Sequence, residues 1–166
     1  MKSKGFTIIE VLFAAMIITM GVIGAVNYVP QIIAGTTVNS SKFVASYLTQ
    51  EGFEIVRNIR DGNLLEDAVW NEGLDGCQEG CTGDYTVLGV EDPHLNTSGE
   101  RPLDAKLKID SVLGYNYNIG NESKFEREII IISEGVDTLN ISITVSWEEK
   151  GIPYQFSAQT KLYSWK

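Results

Sequence analysis

The chain has 166 residues, enough for one average domain or for a smaller domain carrying an extra element. Its formal net charge is −9, from 13 Lys plus Arg against 22 Asp plus Glu. Phosphate binding wants the opposite sign, so no direct nucleic-acid binding is expected; the acidity is spread through the second half and reads as a soluble exterior.

The first predicted element lies in MKSKGFTIIEVLFAAMIITMGVIGAV, residues 1–26. No charged residue of either sign occurs between Glu10 and Lys42. A span of about 20 apolar residues crosses a bilayer, so this stretch is long enough. Its apolar character is strongest from Val11 to Val29 and weakens through Pro30, Gly35, Thr36, Thr37, Asn39, Ser40 and Ser41. Lys2 and Lys4 precede it, and positive residues stay on the cytoplasmic side, so the residues after Ser41 are expected outside the cytoplasm. An ordinary secretory signal has a shorter apolar core that ends at a small-residue cleavage site. Here the run is longer, lacks such an end, and carries Glu10 near its start. An ionised carboxylate in hydrocarbon is costly without a partner, which makes Glu10 a functional-site candidate.

The string Lys4-Gly5-Phe6-Thr7-Ile8-Ile9-Glu10-Val11-Leu12 resembles the cleavage and methylation site of type IV prepilins and pseudopilins. That resemblance implies a leader of residues 1–5, cut after Gly5 by a membrane-embedded prepilin peptidase, and N-methylation of the new terminus at Phe6. Glu10 becomes the fifth mature residue, where the family places its glutamate and pairs it with the terminal amine of a neighbouring subunit. The plainer reading is that Glu10 caps its own helix, where the helix dipole favours a negative group.

A long helix is expected from Thr7 to about Asp61, with Asp61-Gly62-Asn63 as its stop. Phe43, Val44, Tyr47, Leu48, Ile55, Val56 and Ile59 recur at spacings of three and four and predict one apolar face. Gly21, Gly24, Pro30 and Gly35 predict a bend or melted stretch near Val26 to Gly35. The segment from Ser46 to Asp61 also resembles minor pilin-like proteins. Arg57, Arg60 and Asp61 within it read either as bonds to a neighbouring subunit or as a solvated helix surface.

From Asn63 to about Asn121 the sequence is rich in Gly, Asp and Asn, with short strands expected at Asp84 to Val90 and Ala105 to Ile109. Leu139 to Trp147 alternates apolar and polar residues throughout, which predicts a strand with one buried face. Phe125 to Ser133 and Tyr154 to Trp165 flank it across short turn-like links, giving an antiparallel meander. Cys77 and Cys81 read as a disulfide that stiffens an exposed loop, with free thiols or a metal as weaker alternatives. Zinc would need two further ligands, and His94 is the single histidine. Asp75, Glu79 and Asp84 carry only a weak calcium signal, so no metal and no cofactor is expected.

These readings predict an α+β fold: a long N-terminal α-helix, with a transmembrane half and an amphipathic half, packed on a small C-terminal antiparallel β-sheet. The expected divisions are a leader (1–5), the helix (6–62, membrane-embedded to about 29) and a globular head (63–166). No nucleophile elbow, phosphate loop or paired His and carboxylate is visible, so an enzyme is not expected. The resemblance implies a minor pilin or pseudopilin of a pilus-like or type II secretion-like filament. Its partners would be prepilin peptidase, the inner membrane, and other subunits met through the N-terminal helix. A permanently anchored extracytoplasmic binding module is the alternative.

Overall fold

The computed structural model describes residues 5, 7–86, 95–97 and 100–164, apart from the side chains of residues 31 and 34. The chain divides into two compact units, Met1–Ser41 and Lys42–Lys166. Helix α1 (Ile8–Leu65) belongs to both.

Thr7 starts α1: its hydroxyl and its carbonyl both accept from the Glu10 N–H, at 3.4 and 3.1 Å. Thr7 is thus an N-cap, and Thr7-Ile8-Ile9-Glu10 has the spacing of a capping box. Every described side chain from Thr7 to Thr37 is exposed. The helix continues through Pro30, and the melted stretch expected near Val26 to Gly35 is absent. Proline removes one ladder donor, yet the helical run is unbroken on either side of it. The hydroxyls of Thr36 and Thr37 donate back to the carbonyls of Ile32 and Ile33 at 2.9 and 3.1 Å.

In the second unit the buried stripe of α1 is Ala45, Leu48, Thr49, Gly52, Ile55, Val56, Ile59 and Arg60. Phe43 and Tyr47, expected on that face, are each 69% exposed. The stripe runs instead through small residues, which bring helix and sheet close together. A Cβ added at Gly52 would sit 2.8 Å from Ile143 Cδ1. The helix ends at Leu65, beyond the expected stop. Asp67 adopts φ 55 and the Ala68 N–H returns to the Asn63 carbonyl at 2.9 Å, a Schellman-type ending without glycine. The Asn63 side chain then donates to the carbonyls of Trp70 and Glu72 and folds the following loop back.

The sheet contains β1 (Cys81–Thr82), β2 (Asn96–Thr97), β3 (Lys106–Asp110), β4 (Gly114–Asn116), β5 (Asn121–Ser133), β6 (Thr138–Glu149) and β7 (Ile152–Tyr163). Strand β5 is central, pairing β6 on one side and β1 and β3 on the other, all antiparallel. The predicted meander is present, with β5, β6 and β7 in sequence order. Lys150 and Gly151, at φ 54 and 79, make the two-residue β6–β7 turn, whose positive φ values suit the twist of a hairpin. The strand expected at Asp84 to Val90 is not found in its described part: β1 lies just before it and ends at Thr82, Asp84 to Thr86 form no strand, and residues 87–90 lie outside the described residues.

The inward row of β6, Leu139 to Trp147, is buried as the alternation predicts. It contributes to two apolar clusters. One joins Ile55, Val56 and Ile59 to Ile129, Ile131, Ile141, Ile143, Leu162 and the cysteines. The other joins Ala45 and Leu48 to Leu107, Tyr117, Phe125, Val145 and Trp147.

Candidate functional site

The residues singled out at the N-terminus lie in the first unit. Gly5 is exposed; Phe6 lies outside the described residues. Glu10 is exposed in the first turn of α1, and among the described residues no cation lies within ion-pair distance of it. Beside it, Ile9, Leu12, Phe13 and Met16 line a shallow apolar groove of about 200 Å³. A Cβ at Gly21, Gly24 or Gly35 would meet nothing within 4 Å, so no contact inside the chain calls for glycine there. Among the described residues one helix is long and apolar enough to cross a membrane. Among the described residues of this unit the surface is apolar, with one acid at its start. Such a surface requires either hydrocarbon or other helices around it.

In the second unit Cys77 and Cys81 form a disulfide. Both are fully buried within the first apolar cluster, correcting the expectation of an exposed loop brace. Gly76, at φ 84, and Gly80, at φ 105, flank the Cys77–Glu79 turn and direct both sulfurs inward. Arg57 and Arg60 are used within the chain. Arg57 pairs with Glu54 at 2.5 Å, whereas buried Arg60 bonds Asp61 and reaches the Tyr163 carbonyl at 3.4 Å.

Sequence reasoning missed a fully buried charge in the head. Arg127 is fully buried between the two apolar clusters. Its guanidinium donates to the Leu48 carbonyl at 2.9 Å and to the Gly83 carbonyl, and lies 3.4 Å from Glu51 Oε1. Its own carbonyl accepts from the Tyr117 hydroxyl at 3.2 Å. The signal was present as parity, because Arg127 shares the inward row with Phe125, Ile129 and Ile131.

Asp84, also fully buried, accepts from the N–H of Tyr117 at 2.6 Å and from the N–H and hydroxyl of Thr86. These three bonds satisfy the side-chain oxygens of a buried residue. The weak calcium reading of Asp75, Glu79 and Asp84 finds no support, since no three His, Cys, Asp or Glu converge among the described residues. His94 lies outside them. Burial pushes the Tyr117 phenol above its ordinary value, opposed by the charges of Arg127 and Arg101, and so keeps it a hydroxyl donor. Chemically, this polar layer ties helix, loop and sheet together.

No protein-family model, curated protein or solved structure matches this chain.

Proposed function

We propose that the chain is a structural subunit, a minor pilin or pseudopilin, of a pilus-like or type II secretion-like filament, processed by prepilin peptidase and assembled through α1. One observation carries the reading: the exposed apolar part of α1 before Lys42, in which Glu10, in the first turn, is the single charge and which begins just after Gly5-Phe6. Cutting after Gly5 supplies a positive amine at Phe6, and methylation retains that charge. In an assembly of such helices the amine of one copy neutralises Glu10 of another. Removing one partner of a buried pair costs about 3–5 kcal/mol, enough to block insertion of a subunit.

Before assembly the subunit waits in the inner membrane as a single-pass protein, Lys2 and Lys4 inside and the head outside. After assembly the apolar side chains exchange lipid for one another, in a cell-surface or periplasmic filament. The experiment replaces Gly5 and Glu10 separately in the producing cell. Gly5→Leu is expected to leave the leader attached; Glu10→Ala is expected to be processed yet missing from sheared filaments. Normal filament incorporation of both variants would defeat the proposal. Retention of Met1 in the mature protein would favour the permanently anchored binding module.

A further inference from the structure

Strand β3 turns into β4 through a hairpin whose tip is apolar. Ile109 is 45% exposed there, Val112 87%, Leu113 41% and, just after β4, Ile119 57%. Four large aliphatic side chains gathered in water at one tip mark a contact surface. Two side-chain turns hold them out. The Asp110 carboxylate accepts from the N–H groups of Val112 and Leu113 at 2.8 and 2.9 Å. Buried Asn116 accepts likewise from Asn118 and Ile119, at 2.9 and 2.7 Å. Gly120, at φ 112, lays the second turn against β3, where a Cβ would stand 2.4 Å from the Ile109 carbonyl oxygen.

Three features point to lipid as the cover. A lipid surface penalises open backbone donors, and those of residues 112, 113, 118 and 119 are bonded within the tip. Charge favours this tip as well. Around it Lys106, Lys108 and Lys124 balance Asp110, Glu122 and Glu126, whereas the head, residues 42–166, carries 11 Lys plus Arg against 21 Asp plus Glu. Anionic lipid repels the acidic remainder and admits the balanced tip. Val136, 88% exposed in the β5–β6 turn at the opposite end of the sheet, stands instead between Glu134 and Asp137. The third feature is place within the head. Ala45 and Leu48 pack with Leu107 and Phe125, and Ile59 with Leu139 and Ile141, so α1 enters the head at the tip end of the sheet. The 12 helical residues from Pro30 to Ser41 rise about 18 Å, which keeps the head beside a bilayer crossed by the preceding residues in any orientation.

We propose that the β3–β4 tip is a membrane-surface contact of the head: Ile109, Val112, Leu113 and Ile119 enter the headgroup layer of the bilayer, and Lys106 and Lys108 meet lipid phosphates. The contact rests on the membrane reading above. It rests neither on cleavage after Gly5 nor on filament assembly.

The test uses the full chain in vesicles of equal parts phosphatidylethanolamine and phosphatidylglycerol, with a nitroxide-bearing lipid as quencher. A bimane is attached at Val112→Cys, Val136→Cys or Ile18→Cys; the native cysteines are joined and buried, so the new thiol alone reacts. Ile18→Cys is expected to be quenched within the span, Val112→Cys by about twofold or more at the surface, and Val136→Cys not at all. Leu113→Ser with Ile119→Ser, both at exposed positions outside the core, is expected to bring the Val112→Cys signal back to that of Val136→Cys. Quenching at Ile18→Cys with none at Val112→Cys overturns the contact and leaves the membrane reading standing; no quenching at Ile18→Cys overturns both. Equal quenching at Val112→Cys and Val136→Cys, or quenching that the serine variant leaves unchanged, overturns the assignment to this tip. A Val112→Cys label untouched by the nitroxide lipid yet shielded from aqueous iodide in the producing cell's filaments overturns lipid in favour of a protein surface.

Discussion

Arg127→Met takes the guanidinium out of the layer between the two apolar clusters and leaves a side chain of similar length. Two charge-assisted bonds to the carbonyls of Leu48 and Gly83 are lost. Hydrogen bonds to charged groups contribute about 1.5–3 kcal/mol each. The Leu48 carbonyl sits within α1 and keeps its place in the helical ladder, so its share falls at the low end. Glu51, whose side chain is 32% exposed, turns to water and adds little. The expected loss is about 3–4 kcal/mol, a large part of the 5–15 kcal/mol typical of a domain. With a urea slope of about 2 kcal/mol/M, the midpoint followed by tryptophan fluorescence drops by about 1.5–2 M. A midpoint unchanged or raised by Arg127→Met would refute the argument that this layer ties helix to sheet.

Gly52→Ala gains about 1 kcal/mol of helix propensity but sets a Cβ 2.8 Å from Ile143 Cδ1, where overpacking costs about 1–3 kcal/mol; denaturation is expected to show a net loss of about 0–2 kcal/mol, and a clear stabilisation would sink the close-approach argument. Reducing the Cys77–Cys81 disulfide, four residues apart in sequence, removes loop-closure entropy of about 2 kcal/mol and is expected to lower the urea midpoint with dithiothreitol; an unchanged midpoint would contradict its buried placement. Hydrogen bonding to Lys161 holds the Glu134 carboxyl below its ordinary value, and the same bond raises Lys161. The Glu134 contribution is therefore present above its unfolded pKa and lost as pH falls through the lowered one; the Lys161 contribution is present below its unfolded pKa and lost as pH rises through the raised one. In Lys161→Met the NMR titration of Glu134 is expected to move up toward the ordinary carboxylate range, and a midpoint that stays low would show another cause.

The long helix and the closing meander were legible because each repeats one period over many residues: an uncharged run from Val11 and strict alternation from Leu139 to Trp147. What was misread depends on contacts distant in sequence. Phe43 and Tyr47 fit the helical period, yet small residues at Ala45, Thr49 and Gly52 set the close approach and turned those aromatics outward. Arg127 stands among Glu126 and Glu128 and reads as surface until its parity with Phe125 and Ile129 is weighed. The burial of Asp84 and of the Cys77–Cys81 pair follows from loops folding onto β5, which no local pattern announces. At the N-terminus, Thr7 and Glu10 also carry a capping-box spacing, so helix capping accounts for part of what made Glu10 conspicuous.

The proposed assembly role stands most directly on the chemical identity of the mature N-terminus. Intact-mass and N-terminal peptide spectrometry of the protein recovered from the producing cell's membranes and filaments is predicted to find a chain starting at Phe6 with a methylated amine. A chain that retains Met1 in both fractions would contradict it.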